Sequence, residues 1–227
     1  MTTDKAGPAT QAMMTSLYWL YDRIVSRKDA KAGTDALPGS EPGSEKRIAA
    51  MIRRAAAQAG TVGFATNMGG LLTLPLALPV NMAGVSSLQI NLIQDIARAR
   101  GYDLGSEQVR TLTIACLAGT AVVDILKDVG VSVGMRLSRQ AILGLSGAVL
   151  GRINKAVAGR LVTAAGASGA VTLARVVPFV GGAISGTVDG LATAAVGAAA
   201  KRVFVRQAEP PGADEPAPLA LPAPAAP

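Results

Sequence analysis

The sequence predicts an all-α protein, a compact bundle of about six to eight glycine-rich helices. Three observations predict it. Half of the residues are hydrophobic, yet only 3% are aromatic, so Ala, Val, Leu and 26 glycines supply the apolar mass. Small residues suit close helix–helix packing, whereas sheets lean on aromatic and β-branched side chains. Apolar positions also recur at spacings of three and four, the period of one helix face. Finally, serines followed by an acid mark helix starts, and Gly101 marks a stop.

Residues 1–28 hold an amphipathic, aromatic helix, with Met13, Leu17, Leu20 and Ile24 on one stripe. Tyr18, Trp19 and Tyr21 lie on or beside it. Such a helix either docks on the core or anchors at a headgroup interface, where Trp and Tyr concentrate. Leu17, Tyr18, Trp19 and Tyr21 are also the candidates for docking a protein partner. Residues 29–45 form a polar linker carrying Gly33, Pro38, Gly39, Pro42 and Gly43. A helical domain is expected over residues 46–206. The tail, residues 207–227, is Pro/Ala-rich and is expected to be disordered.

Within the domain, Ser44 caps a helix expected over residues 45–68, with Glu45 in its first turn. Arg53 and Arg54 are its last charges. Residues 55–94 then run for 40 positions without a charge. The stretch Leu71-Leu72-Thr73-Leu74-Pro75-Leu76-Ala77-Leu78-Pro79 reads as an extended apolar connector, with Pro79 opening the next helix. That helix is expected to end near Arg100. The resulting apolar hairpin is either buried or inserted as a re-entrant loop, and irregular backbone opposes deep insertion. Ser106 caps a helix expected over residues 106–127. A further helix is expected over residues 148–165, with Gly166 and Gly169 bracketing a turn. Gly147 and Gly151 offer a small-xxx-small contact. The last element runs from about Val177 to Arg206, with Gly182, Gly186 and Gly190 on one face.

Charge is unevenly placed. The chain carries +7 overall, but between Arg47 and Arg206 there are 16 Lys+Arg against 6 Asp+Glu, a net of +10. Such a domain attracts anionic lipid or nucleic acid. Aromatic stacking platforms are too few and too scattered for single strands, so lipid is favoured and no nucleic acid is expected. Arg136, Arg139, Arg152, Lys155 and Arg160 are the candidate headgroup contacts. Leu71, Leu72, Leu74, Leu76 and Leu78 are the candidate apolar contacts.

Catalysis finds little support. Histidine is absent, which removes the commonest general base and metal ligand. Cys116, the single cysteine, has apolar neighbours and reads as a small buried hydrophobe. Asp124 and Asp128 share a helix face, and Asp189 interrupts an apolar stretch. All three read as structural acids, Asp124 and Asp128 pairing with arginines such as Arg136 or Arg152, and Asp189 with one such as Arg160 or Arg175. No phosphate loop or nucleophile elbow occurs. No catalytic residue, metal or cofactor is expected. No secretory signal is read in the first 30 residues, so the expected location is cytoplasmic, peripheral to the inner membrane.

The segments Gly63-Phe64-Ala65-Thr66-Asn67-Met68-Gly69-Gly70, Leu72 to Pro79, and Arg100-Gly101-Tyr102-Asp103 resemble the EcsC family of bacterial proteins. So do Ile153-Asn154-Lys155, Val177 to Gly182, Asp189 and Ala199 to Phe204. The resemblance covers about residues 45–206. It implies association with a membrane transporter's surroundings, and through a pattern shared with lipid-droplet senescence domains it implies lipid binding. A hydrolase label is used for some members, but the resemblance implies no catalytic mechanism for these residues; a hydrolase with Asp124, Asp128 or Asp189 as its acid is the third expectation. The leading expectation is a non-enzymatic, membrane-associated or lipid-binding protein. An adaptor docking through its N-terminal helix or tail is the second.

Overall fold

Capping serines and one left-handed glycine set the ends of the central helices. A computed structural model describes residues 8–29, 43–67, 74–131, 139–167 and 180–205. Among these there are eight α-helices, one 3₁₀ turn and no strand, so the protein is all-α. Helix α1 spans Pro8–Asp29 and α2 spans Glu45–Asn67. The Arg47 N–H donates to Ser44 Oγ at 3.4 Å, and the Ile48 N–H donates to the Ser44 carbonyl at 3.0 Å. Helix α3 spans Leu74–Ala99. It stops where Gly101 takes a φ of 80°, a conformation that costs glycine little.

Two boundaries differ from the sequence expectation. Helix α3 begins at Leu74, so the Leu74 to Pro79 segment is helical rather than extended. Pro75 lies in the first turn, where a helix has no acceptor for its N–H and the missing donor costs nothing. Pro79 forfeits one bond a turn later, and the helix runs on. Leu71 and Leu72 lie outside the described residues. The expected single helix over 106–127 is instead divided. Helix α4 spans Glu107–Cys116, a 3₁₀ turn covers Gly119–Ala121, and α5 spans Val122–Asp128. The break falls at Gly119, whose φ is 60°. Ser106 does cap α4, accepting from the Val109 N–H at 3.3 Å.

Helix α6 is a short turn, Arg139–Leu143, followed by α7, Gly147–Ala167, and α8, Val180–Val203. Gly166 therefore sits inside a helix rather than in a turn, and Gly169 lies outside the described residues.

Helices α2, α3 and α8 form the centre, with α2 antiparallel to both others. Gly186 near the start of α8 meets Gly60 and Phe64 of α2, whereas Gly197 further on meets Ile52. A Cβ on Gly186 would lie 2.6 Å from the Gly60 carbonyl oxygen, and one on Gly197 would lie 2.7 Å from Ile52 Cγ1. Backbones approach this closely only where side chains are missing. Among the described residues the small-residue contact expected at Gly147 and Gly151 is not made, because none lies within 4 Å of where their Cβ atoms would be.

The base of this bundle is tied by charge and aromatics. Glu45 of α2 accepts from Arg100 Nη2 at 2.6 Å and pairs with Lys201 Nζ at 2.5 Å. Beside it, the Tyr102 and Phe204 rings meet edge to face at 5.1 Å. The remaining helices cover this end. The 3₁₀ turn lies on α8, where Gly119 faces the Ala195 methyl. Helix α1 docks through buried Tyr21 and Ile24. The Tyr21 hydroxyl donates to the Leu104 carbonyl at 2.6 Å, and the Tyr18 hydroxyl donates to Asn154 Oδ1 at 2.6 Å. Arg110 bridges to Asp22 at 2.5 Å while its guanidinium lies 4.5 Å from the centre of the Tyr18 ring.

Candidate functional site

Cations gather where α5 meets α7. Arg152, Lys155 and Arg160 sit three and five positions apart on α7, which places them on neighbouring rows of one helix side. With Asp128 of α5 they line an open groove of about 580 Å³. Ile125, Val129, Ala156 and Gly159 supply its apolar lining. Three cations against one carboxylate give the groove a net positive field, suited to an anionic group with an apolar neighbour. Arg136 lies outside the described residues, and Arg139 opens α6 with its side chain outside them.

The acids take different positions. Asp124 and Asp128 are both exposed, and among the described residues no salt bridge joins either one to Arg152. Asp189 is half-buried in the α2–α8 crossing. Its carboxylate lies against Gly63 and accepts from Ser185 Oγ at 3.3 Å. Among the described residues no salt bridge reaches it from Arg160, while Arg175 lies outside them. No group of three metal-ligating side chains occurs among the described residues. Cys116 is fully buried, and burial pushes its thiol far above the ordinary range, which leaves it unreactive in the native fold.

Of the four candidate docking residues on α1, Tyr21 is buried and Leu17 and Tyr18 pack partly on the core. Burial also raises the Tyr21 hydroxyl's pKa, which keeps it a neutral donor. Trp19 alone of the four is exposed, at 60%, with the Arg23 guanidinium 5.2 Å above its ring. The candidate apolar residues Leu74, Leu76 and Leu78 belong to the first turns of α3, and their side chains lie outside the described set.

A second surface was not singled out from the sequence. Beyond Arg54, α2 exposes Ala57, Thr61, Phe64 and Ala65. Along α8, Ala183, Thr187, Val188, Leu191 and Ala192 are exposed, Leu191 to 68%. None of these is charged. The signal was present in two sequence runs, residues 55–94 without charge and residues 176–200 with Asp189 alone. The Ala183–Val203 part of α8 is long and apolar enough to cross a membrane, with a mean hydropathy of 1.2, a property that core helices share.

The class defined here is a helical bundle with a charged, aromatic base and a far half that, among the described residues, exposes no charged side chain. Comparison with family models, curated proteins and solved structures finds no match for this chain.

Proposed function

We propose that this protein is a non-enzymatic, peripheral membrane protein that binds anionic lipid on the cytoplasmic side of the inner membrane. One observation carries the reading, the segregation of charge along the bundle. Half of α2 and most of α8 expose apolar side chains with no charge among them, while Arg152, Lys155 and Arg160 line the α5–α7 groove against one carboxylate. The two surfaces match the two parts of a bilayer, the apolar face its acyl chains and the cationic groove its phosphates. The proposed kinship with the EcsC family rests on the motifs at residues 63–79, 100–103, 153–155, 177–182 and 199–204. It supports a membrane setting rather than a reaction.

The test is flotation of the purified protein with vesicles of neutral lipid and of neutral lipid mixed with phosphatidylglycerol. Binding to the anionic vesicles at low salt, weakened at high salt, is the expected result. Reversing the groove charges together (R152E, K155E and R160E) should lower that binding by about tenfold or more. A protein that stays at the bottom of every gradient overturns the proposal.

A second reading has one observation in its favour. Trp19 projects from a helix whose neighbouring aromatics are engaged within the chain. An exposed Trp flanked by Arg23 is a typical anchor for a protein partner. Under this adaptor reading, Trp19→Ala abolishes capture of a partner while leaving vesicle binding intact.

A further inference from the structure

The half of the bundle that exposes no charge can meet a bilayer in two ways, and the geometry discriminates between them. Entry by the tip would carry the end of α2 and the starts of α3 and α8 into the hydrocarbon. Each helix end leaves up to about four backbone groups without an intrahelical partner, and hydrocarbon offers none. Contact along the side exposes no such ends. There the helices keep their backbone bonds and present only side chains.

The side of the bundle is built for that contact. On α2, Ala57, Thr61 and Phe64 follow one another at spacings of three and four, so they share the exposed face. On α8, Thr187 and Leu191 do the same. The two faces adjoin, because Gly186 packs directly on Phe64 and Gly190 on Ala56. At the near end of the same α2 face stand Arg53 and Arg54, both exposed and, among the described residues, with no ion pair or hydrogen bond. Asp189, the acid within this half, points inward at Gly63 rather than outward. Acids that lie within a membrane-facing element characteristically turn to the protein interior in this way.

We infer that the joint face of α2 and α8 lies flat on an anionic bilayer, with Phe64 and Leu191 immersed at the acyl boundary and Arg53 and Arg54 on the lipid phosphates. The inference rests on the membrane reading and adds its orientation. An interfacial helix buries its apolar face about 5–10 Å deep along its whole length. The occupant is lipid rather than a second copy, because the face carries two arginines and exposes no carboxylate that a copy could offer them. It is anionic lipid because the arginines end an otherwise neutral surface.

The experiment places a single tryptophan at three positions in a Trp19→Phe background: A57W, F64W and L191W. A fourth variant, L143W, reports from the exposed α6 turn outside the face. Each is mixed with phosphatidylglycerol-containing vesicles brominated near the headgroup or near the chain end, and quenching is measured. Similar quenching at positions 57, 64 and 191, strongest with the shallow bromines and small at 143, supports the flat orientation. Quenching that grows from 57 to 64 and favours deep bromines means entry by the tip and overturns it. Vesicles that float the protein without quenching any of the three face positions also overturn it, while leaving the membrane reading in place. Failure to float at all removes both. The double variant R53E/R54E should weaken binding to the anionic vesicles by about tenfold and leave weak binding to neutral ones unchanged.

Discussion

The two ends of the central bundle are held together by opposite means. At the base, long side chains reach between helices, with Glu45 joining Arg100 and Lys201, and Tyr102 set against Phe204. Toward the far end, side chains are missing, and Gly60, Gly63, Gly186 and Gly190 let α2 and α8 touch backbone to backbone. The base therefore gains specificity from hydrogen bonds and rings. The far half gains dispersion contact from proximity. The difference teaches that a helix pair without large residues can still be tightly specified, because any added atom has nowhere to go.

The comparison is broken most severely at Gly186. Gly186→Val places methyls where the Gly60 carbonyl already stands, and should cost about 3 kcal/mol or more, read as a lower midpoint in urea. At the base, Glu45→Gln should cost less. Arg100 is buried and keeps only a neutral acceptor in place of the carboxylate, but Glu45 itself is 61% exposed, so water softens the loss to about 1–2 kcal/mol. The hydrogen bond from Lys201, followed by Arg100, holds the Glu45 carboxyl below its ordinary value of 4.5. A depressed carboxyl stabilises the fold above that ordinary value and loses the contribution as pH falls through the native one. Urea midpoints of wild type and Glu45→Gln should therefore differ at pH 7 and converge as the pH drops below about 4.5. The smallest effect is expected at Gly151, which has open space around it. Gly151→Ala should raise stability by about 0.5–1 kcal/mol through helix propensity, in contrast to the loss at Gly186.

The helices were legible where local chemistry writes their ends. Ser44, Ser106 and Gly101 act as their residue types predict. The division at Gly119 was not legible, because the surrounding Ala and Thr residues continue a helix without penalty and only the φ of this one glycine ends it. The start of α3 was placed too late because prolines were weighed as breakers, although one falls in the first turn. The groove was readable in part. The spacing of Arg152, Lys155 and Arg160 put them on one side, and the expected pairing of Asp128 with Arg152 pointed to α5, but nothing local announced that Ile125 and Val129 would supply an apolar floor. Glycine spacing alone could not choose between Gly147–Gly151 and Gly186–Gly190. Which stripe finds a partner depends on the whole bundle, and among the described residues nothing comes within 4 Å of where Cβ atoms on those two would be.

The pairing of α2 with α8 also has a cost in time. Gly60 leaves the ribosome well over a hundred residues before Gly186 does. At about 5–20 residues per second, the apolar face of α2 waits on the order of ten seconds for its partner. During synthesis the nascent hairpin of α2 and α3 therefore presents an uncharged surface to the cell before the fold can close over it. Slowing translation ahead of α8 should lengthen that window and favour capture by chaperones or by a nearby bilayer. The same glycines that fit two backbones together in the finished protein thus make its birth depend on what meets it first.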